Sequence, residues 1–272
     1  MRLTLILILL FPALVQAQTR ASSCIAIAMN DPEIRFIEFA KFGAALDDQT
    51  VRLSYVDHST YMLETPAGAS AATDYTGALG DPDIVPDVVT MNRAHTTHFT
   101  SSPDPRIPHV LTGWNPEGGA IEHYLQVADL LVRNVPTDIR GGDFGGARIA
   151  NGNSIFIFEV AGLCIGHLGH LHHEPSDEQY GRIGRLDIVM TPVDGGRTLD
   201  VATMTRVMNR LKSRVVLPMH WFGTASLEMF LASMSSEFEI VVRQENWVEL
   251  SWRQLPERPT VIVLRPAWLF AE

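Results

Sequence analysis

Cysteine is scarce in this 272-residue chain, which has only Cys24 and Cys164. Two thiols cannot build a cysteine-rich zinc site, so any metal here must rely on histidine and carboxylate ligands. Basic residues are outnumbered too, with 21 Lys and Arg against 31 Asp and Glu for a formal net charge of −10. An acidic surface repels phosphate backbones, which argues against nucleic acid as a partner. Beyond the N-terminus no apolar run approaches the roughly 20 residues that a membrane-spanning helix needs. No Pro/Gly-rich linker, low-complexity tract or internal repeat divides the chain. The glycine pairs at 118–119, 141–142, 145–146 and 195–196 match no phosphate-loop spacing. Ser59 and Ser154 lack the strand-turn-helix context of a nucleophile elbow.

The N-terminus is the exception on hydropathy. Residues 1–17, "MRLTLILILLFPALVQA", carry one early arginine, an apolar core and a small residue at the end. That is the layout of a secretory signal peptide, with an uncleaved anchor as the alternative. The expectation is an exported chain, periplasmic or secreted, with residues 18–272 as one domain and no membrane contact after cleavage. Export permits a disulfide. Cys164 lies inside an apolar run, however, and buried unpaired cysteine is common, so pairing with Cys24 is the less favoured expectation.

Strand-like runs dominate the rest of the chain. "TVRLSYVDHSTYMLET", "PDVVTM", "DLLVRNVPT", "NSIFIFEV", "GLCIGHL", "LDIVMTPV", "SRVVLPMH", "FEIVVR", "WVELSW" and "TVIVL" are short, apolar and rich in β-branched residues. Residues 199–213 show an amphipathic helical stripe at Val201, Met204, Met208 and Leu211, with Thr198 placed to cap it. Residues 225–235 suggest a second helix, and "AIEHYLQVA" is ambiguous. Strands mixed with helices point to an α/β or α+β sandwich of packed layers.

The ten histidines are not scattered. "GHLGHLHH" places His167, His170, His172 and His173 just past one strand. His95 and His98 follow another, His220 ends a third, and His58 sits within or beside a fourth. Residues at strand ends are displayed on one rim of a layered sheet. Three loops on one rim could bring imidazoles to a common point, and a catalytic zinc needs three such ligands and an open position. A single strand-end histidine such as His220 is more often a packing residue, so the weight lies in the combination. His109 and His123 read as surface or packing residues.

In their order and spacing these blocks resemble the metallo-β-lactamase-fold hydrolases, and within them a divergent UlaG-like branch. "YVDHSTYMLETPAG" is similar to the family's glycine-histidine-serine/threonine strand, and "ATDYTG" to its strand ending in aspartate. "VVTMNRAHTTHF" stands in the place of the His-x-His-x-Asp-His motif. "NSIFIFEVAGLCIGHLGHLHH" resembles the strand pair ending in His-Leu-Gly-Asp-Leu-Gly-His, and "VVLPMHWF" supplies the last histidine. The resemblance implies a four-layer αββα sandwich of two mixed sheets. It implies His95, His98, His170 and His220 as metal ligands, with Asp57, Asp74 or Asp194 orienting the rings.

The departures shape the expected chemistry. Arg93 replaces the motif's first histidine, Thr97 its aspartate, and His170 the later bridging aspartate. Fewer carboxylates hold less positive charge, so one divalent metal is expected rather than two. Neutral imidazoles favour Zn2+, with Mn2+, Fe2+, Ni2+ or copper also compatible. The expected activity is metal-dependent hydrolysis of an ester, lactone, amide or phosphodiester in a small-molecule substrate. Arg93 would pair with an anionic group, or simply with Asp57, and His58 or His167 would shuttle a proton. His172 and His173 are expected at the surface or behind the ligands. Residues 101–124 are expected as a lid or pocket wall, with Trp114 and Trp221 as apolar contacts. The alternatives are a non-catalytic metal- or ligand-binding protein that keeps the fold, and a structural protein with incidental histidines. A homo-oligomer is compatible with either.

Overall fold

Successive residues of the longest strands bury into two different cores, and that alternation builds a sandwich. The computed structural model describes residues 22–26, 46–141 and 146–270; the expected signal segment 1–17 lies outside them. In chain order the first strands are β1 (Thr50–Asp57), β2 (Thr60–Glu64), β3 (Ser70–Ala72), β4 (Val88–Met91) and β5 (His109–Thr112). They are followed by β6 (Tyr124–Val127), β7 (Leu130–Arg140), β8 (Arg148–Val160), β9 (Leu163–His167) and β10 (Ile188–Pro192). The last are β11 (Val215–Met219), β12 (Glu239–Val242), β13 (Trp247–Ser251) and β14 (Thr260–Val263). The helices are α1 (Ser23–Ala26), α2 (Asp177–Ile183), α3 (Val201–Leu211) and α4 (Thr224–Met234).

One mixed sheet has the order β13-β1-β2-β3-β4-β5, and the other β12-β14-β11-β10-β9-β8-β7-β6. Phe156 and Phe158 of β8 face the core between the sheets, with Leu53 and Leu63 from the opposite sheet. Ile155 and Ile157 point the other way, into a layer closed by Met204 and Met208 of α3 and Phe230 of α4. This is the two-sheet α+β sandwich that the sequence implied. Outside the six-stranded sheet, Met62, Val89 and Met91 pack against chain such as Tyr75, Leu79, Ile107 and Leu269. No helix among the described residues is long and apolar enough to cross a membrane.

Strands β9, β10 and β11 lie parallel and adjacent. Parallel neighbours align their C-terminal ends, so the loops after all three emerge on one rim. Those loops carry His170, Asp194 and His220.

Two local expectations change, and two segments take definite form. Cys24 and Cys164 form a disulfide, with Cα atoms 5.8 Å apart, joining α1 to β9. Helix α3 is capped by Asp200, which accepts from the Thr203 N–H at 2.9 Å; Thr198 instead bonds Asp194. "AIEHYLQVA" is resolved as the edge strand β6, because Tyr124–Val127 pair antiparallel with β7. Residues 101–124 contain β5 as well as turns, and Trp114 packs edge-on against Phe99, ring centroids 5.6 Å apart, in the cluster outside the six-stranded sheet.

Candidate metal centre

The two sheets meet at a stitched seam, and the histidines sit on it. Asn92, just after β4, donates from Nδ2 to Asp74 Oδ1 at 2.9 Å. Its Oδ1 accepts from the Ser154 N–H of β8 at 2.8 Å. Asn153 Oδ1 accepts from the His170 N–H at 2.7 Å. Gly169, at φ +59°, passes between these two asparagines, and a Cβ there would collide with both side-chain amides. The glycine in "HLGH" is therefore a packing requirement. Neither asparagine carries a recognisable motif, so sequence reasoning missed both.

His95, His98, His170 and His220 converge, with one ring nitrogen from each lying within 4.8 Å of the others. Nε2 of His98 is 3.0 Å from Nε2 of His220, and Nε2 of His95 is 3.0 Å from Nε2 of His170. His98, His170 and His220 are buried, and His95 is partly exposed.

The back of each ring is held. His98 Nδ1 donates to Asp74 Oδ2 at 2.5 Å, with Ser59 Oγ 3.0 Å away. His220 Nδ1 lies 2.9 Å from Asp194 Oδ2, though off the line of a good hydrogen bond. Asp194 is itself fixed by the N–H groups of Gly196, Arg197 and Thr198 at 2.9, 2.6 and 3.0 Å. Thr97 Oγ1 is 2.7 Å from His95 Nδ1, so the residue in the aspartate position steadies a ring. Asp57 does not reach a ligand ring; its Oδ1 accepts from the His58 N–H at 2.9 Å.

Backbone strain concentrates here. His58, Asp74 and His220 adopt φ of +42°, +40° and +59°, each costing about 1–3 kcal/mol for a non-glycine residue. The surrounding contacts enforce these shapes: the His220 N–H donates to the His58 carbonyl at 2.7 Å. Such strain is expected where geometry serves a site rather than stability.

Electrostatics keep the rings of His58, His98 and His170 neutral. Burial first, then the neighbouring imidazoles His220 and His95, hold His98 well below the ordinary histidine range. Burial, then His98 and His220, does the same to His170. His58 is depressed to about 3 by burial and by His220 and His95. In Asp194 burial works upward, but the His220 contact and the Thr198 and Gly196 N–H groups outweigh it and keep the carboxyl low. Uncharged rings, each with one bare nitrogen, therefore line the centre at neutral pH.

His58 borders the cluster, its ring centroid 4.0 Å from that of His220. Its Nε2 is buried with no hydrogen-bond partner. Phe222 closes the same side at 5.2 Å from His58 and is 62% exposed, an apolar lip that the sequence did not single out. Trp221 packs away on Tyr55, with ring centroids 5.3 Å apart. Arg93 is exposed and forms no ion pair with Asp57.

His167 departs from its expected shuttle role. It is buried, its Nε2 donates to the Ser59 carbonyl at 2.8 Å, and its Nδ1 accepts from the Gly169 N–H at 3.2 Å. Both nitrogens are committed to backbone, so the ring props the Ser59 turn instead of moving protons. His172 is buried behind His170 and is not at the surface. His123 donates to the Thr112 carbonyl at 2.8 Å, a packing role as expected.

The donor set fits a metal ion. With Nδ1–H donated to Asp74, Nε2 of His98 presents a lone pair, and Nε2 of His220 lies 3.0 Å from it. With the His220 proton on Nδ1, beside Asp194, both Nε2 atoms would face one shared cation. A tetrahedral zinc with ~2.0–2.1 Å bonds would space its nitrogens about 3.3 Å apart, inside the observed 3.0–4.8 Å spread.

Residues 52–220, more than half of the chain, match the family model described as the beta-lactamase superfamily domain. The chain belongs to that superfamily, whose fold the two-sheet sandwich reproduces. Among solved structures it is similar to a candidate Zn-dependent hydrolase of the metallo-β-lactamase superfamily from Thermotoga maritima. The identity there is 22% and the TM-score 0.57, over 79% of this chain and 98% of that one. It is also similar to a metallo hydrolase from the archaeon Ignicoccus hospitalis, at 18% identity and TM-score 0.54, over 75% of this chain and 99% of that one. A third is an isothiocyanate hydrolase from Delia radicum gut bacteria, at 13% identity and TM-score 0.51, over 74% and 99%. No curated protein matches the chain. Identities this low establish the fold and not the substrate.

Proposed function

We propose that the chain is an exported metal-dependent hydrolase that holds one divalent cation, Zn2+ by preference, in its histidine cluster. The observation that carries this reading is the convergence of four imidazoles, with Nε2 of His98 and of His220 3.0 Å apart and a buried carboxylate beside each of these two rings. A bound divalent cation would lower the pKa of a water molecule and polarise a carbonyl or phosphoryl oxygen.

The chain's own residues supply the rest. Asp74 and Asp194 keep the Nδ1 protons on the outer side of His98 and His220, which raises the basicity of the inner nitrogens. His58, whose buried Nε2 has no hydrogen-bond partner, borders the cluster and is placed to shuttle a proton from the attacking water. Phe222 gives an apolar surface for the substrate, and Arg93 offers a guanidinium to an anionic group on it. The substrate class is an ester, lactone, amide or phosphodiester. The Cys24–Cys164 disulfide supports export, since such a bond persists in oxidising compartments.

The second reading, a metal-binding protein without turnover, draws on Thr97 and His170 in place of the aspartates. One experiment separates the two. Metal-free protein is loaded with Zn2+ or Mn2+ and given ester, lactone and phosphodiester substrates, with His98→Ala as control. Turnover that requires both the metal and His98 supports the hydrolase. Metal uptake without turnover favours the binder, and no uptake at all removes both.

A further inference from the structure

A directional chain of hydrogen bonds runs into the centre from behind His170. The Arg140 backbone N–H donates to His172 Nδ1 at 2.6 Å. A backbone N–H cannot accept, so His172 Nδ1 is the lone-pair nitrogen and its proton sits on Nε2. That Nε2 faces His170 Nδ1 at 2.6 Å and must donate to it. His170 Nδ1 is therefore an acceptor, and a neutral His170 carries its proton on Nε2. The same Nε2 points at His95 Nε2, 3.0 Å away. His95 then accepts on Nε2 and directs Nδ1 to Thr97 Oγ1 at 2.7 Å.

A nitrogen that carries a proton has no lone pair for a metal. His95, His98 and His220 can each present an unprotonated Nε2, whereas His170 cannot without becoming an imidazolate. Burial makes that anion costly. We infer that the centre is a three-histidine site of His95, His98 and His220, and that His170 is a hydrogen-bond donor aimed at the oxygen of the substrate or the attacking water. The inference rests on the metal-binding reading for its three ligands, but the state of His170 follows from the Arg140 N–H and the His172–His170 contact.

Arg140 sets two sides of the site at once. Its guanidinium donates to the carbonyls of Gly196 and Thr198 at 3.0 and 2.8 Å, and also to that of Arg197 between them. This pins the loop whose N–H groups hold Asp194 behind His220. The end of β7 thus fixes the donor ring and a ligand ring together. A three-ligand site leaves a position open for a water or substrate oxygen. His170 Nε2 lies within 4.8 Å of the ligating nitrogens, close enough to reach such an oxygen. In the bridging aspartate position a carboxylate would accept hydrogen bonds; here the group is a donor. It suits a substrate whose oxygen gains negative charge during attack.

The test uses the full-length protein and two readouts. Two-dimensional NMR of 15N-histidine-labelled protein reads the ring tautomers with and without Zn2+. His170 and His172 should both show protonated Nε2 and bare Nδ1, in the metal-free and in the loaded protein. A protonated Nδ1 on His170 in either state overturns the inference. The second readout is Zn2+ affinity by chelator competition, together with the Co2+ visible spectrum. His170→Gln retains one acceptor and one donor, so affinity should stay within about threefold and the cobalt band should be unchanged. His95→Gln should lose more than ~100-fold, beyond the effect of an outer residue. Equal losses in the two variants would make His170 a fourth ligand and overturn the inference. Wild-type protein that takes up no metal would instead sink the metal-binding reading, and the metal-free NMR spectrum would still decide His170.

Discussion

Asp74→Asn keeps the side-chain shape and removes one acceptor from the most buried contact of the centre. Both Asp74 oxygens accept, Oδ1 from Asn92 Nδ2 at 2.9 Å and Oδ2 from His98 Nδ1 at 2.5 Å. Asn92 cannot flip to help, because its own Oδ1 is held by the Ser154 N–H at 2.8 Å. The new amide therefore has two poor choices. With its oxygen toward His98, its NH2 meets the Asn92 NH2 and a buried donor is left unpaired, at about 1–3 kcal/mol. With its NH2 toward His98, Nδ1 must accept and the ring proton moves to Nε2, into the space facing His220 Nε2 at 3.0 Å. In either case the loss should match that of an outer partner of a metal ligand, about 10–100-fold in affinity, or roughly 1.4–2.7 kcal/mol. The assay is chelator competition for Zn2+ at neutral pH, with Asp57→Asn as the control, since Asp57 accepts from the His58 backbone N–H and, among the described residues, bonds no ligand ring. Urea unfolding of the metal-free variant should show no more than the roughly 1–3 kcal/mol of one unpaired buried donor, since removing the buried charge relieves desolvation. Affinity within twofold of wild type, or an equal loss in the control, would refute the assignment of Asp74 as the partner of a ligand.

Acid should destabilise the metal-free protein. Burial holds His98, His167 and His170 below the usual range and His172 at about 4, so below the unfolded value of about 6.5 the unfolded state binds more protons and stability falls with pH. Burial raises Asp74, and Asp187 to about 6, which opposes this between about pH 4 and 6. With His58 and His173 the lowered histidines number six among the described residues, against three raised carboxyls with Glu64, so stability should fall on acidification, and urea midpoints that stay flat or rise would contradict it. Reducing the Cys24–Cys164 bond, or making the Cys24→Ser/Cys164→Ser pair, should lower the denaturation midpoint. The bond spans 140 residues, and chain entropy sets its worth at no more than about 5 kcal/mol; no shift would mean that the bond does not form. His167→Ala should cost about 2–4 kcal/mol of stability through a cavity and lost hydrogen bonds. It should also leave proton-transfer steps unaltered in a pH-rate profile, whereas His58→Ala should change that profile without comparable destabilisation.

The fold was legible because strand pattern and block order are local properties of the chain. Phe156 and Phe158 alternate with Ile155 and Ile157 over a long run, and a strict two-residue period admits one secondary structure. The short strand β3 and the edge strands β5 and β6 were hidden or ambiguous, because three or four residues hold too little periodic signal. The four converging histidines were readable from their places at strand ends, since β9 and β11 are parallel and present His170 and His220 on one rim. Residues that act through another residue were not readable. Asn92 and Asn153 are ordinary asparagines until two sheets close on them. His167 looks like its neighbours until its two nitrogens are found bonded to backbone. His170 carries the sharpest form of this limit. Its position in "HLGH" marks it as a ligand, yet which nitrogen bears its proton is decided two rings away by a backbone amide 30 positions earlier in the chain, at Arg140. Spacing in a sequence can bring an imidazole to a metal, but the hydrogen bond behind the ring determines whether it arrives as a donor or as a ligand.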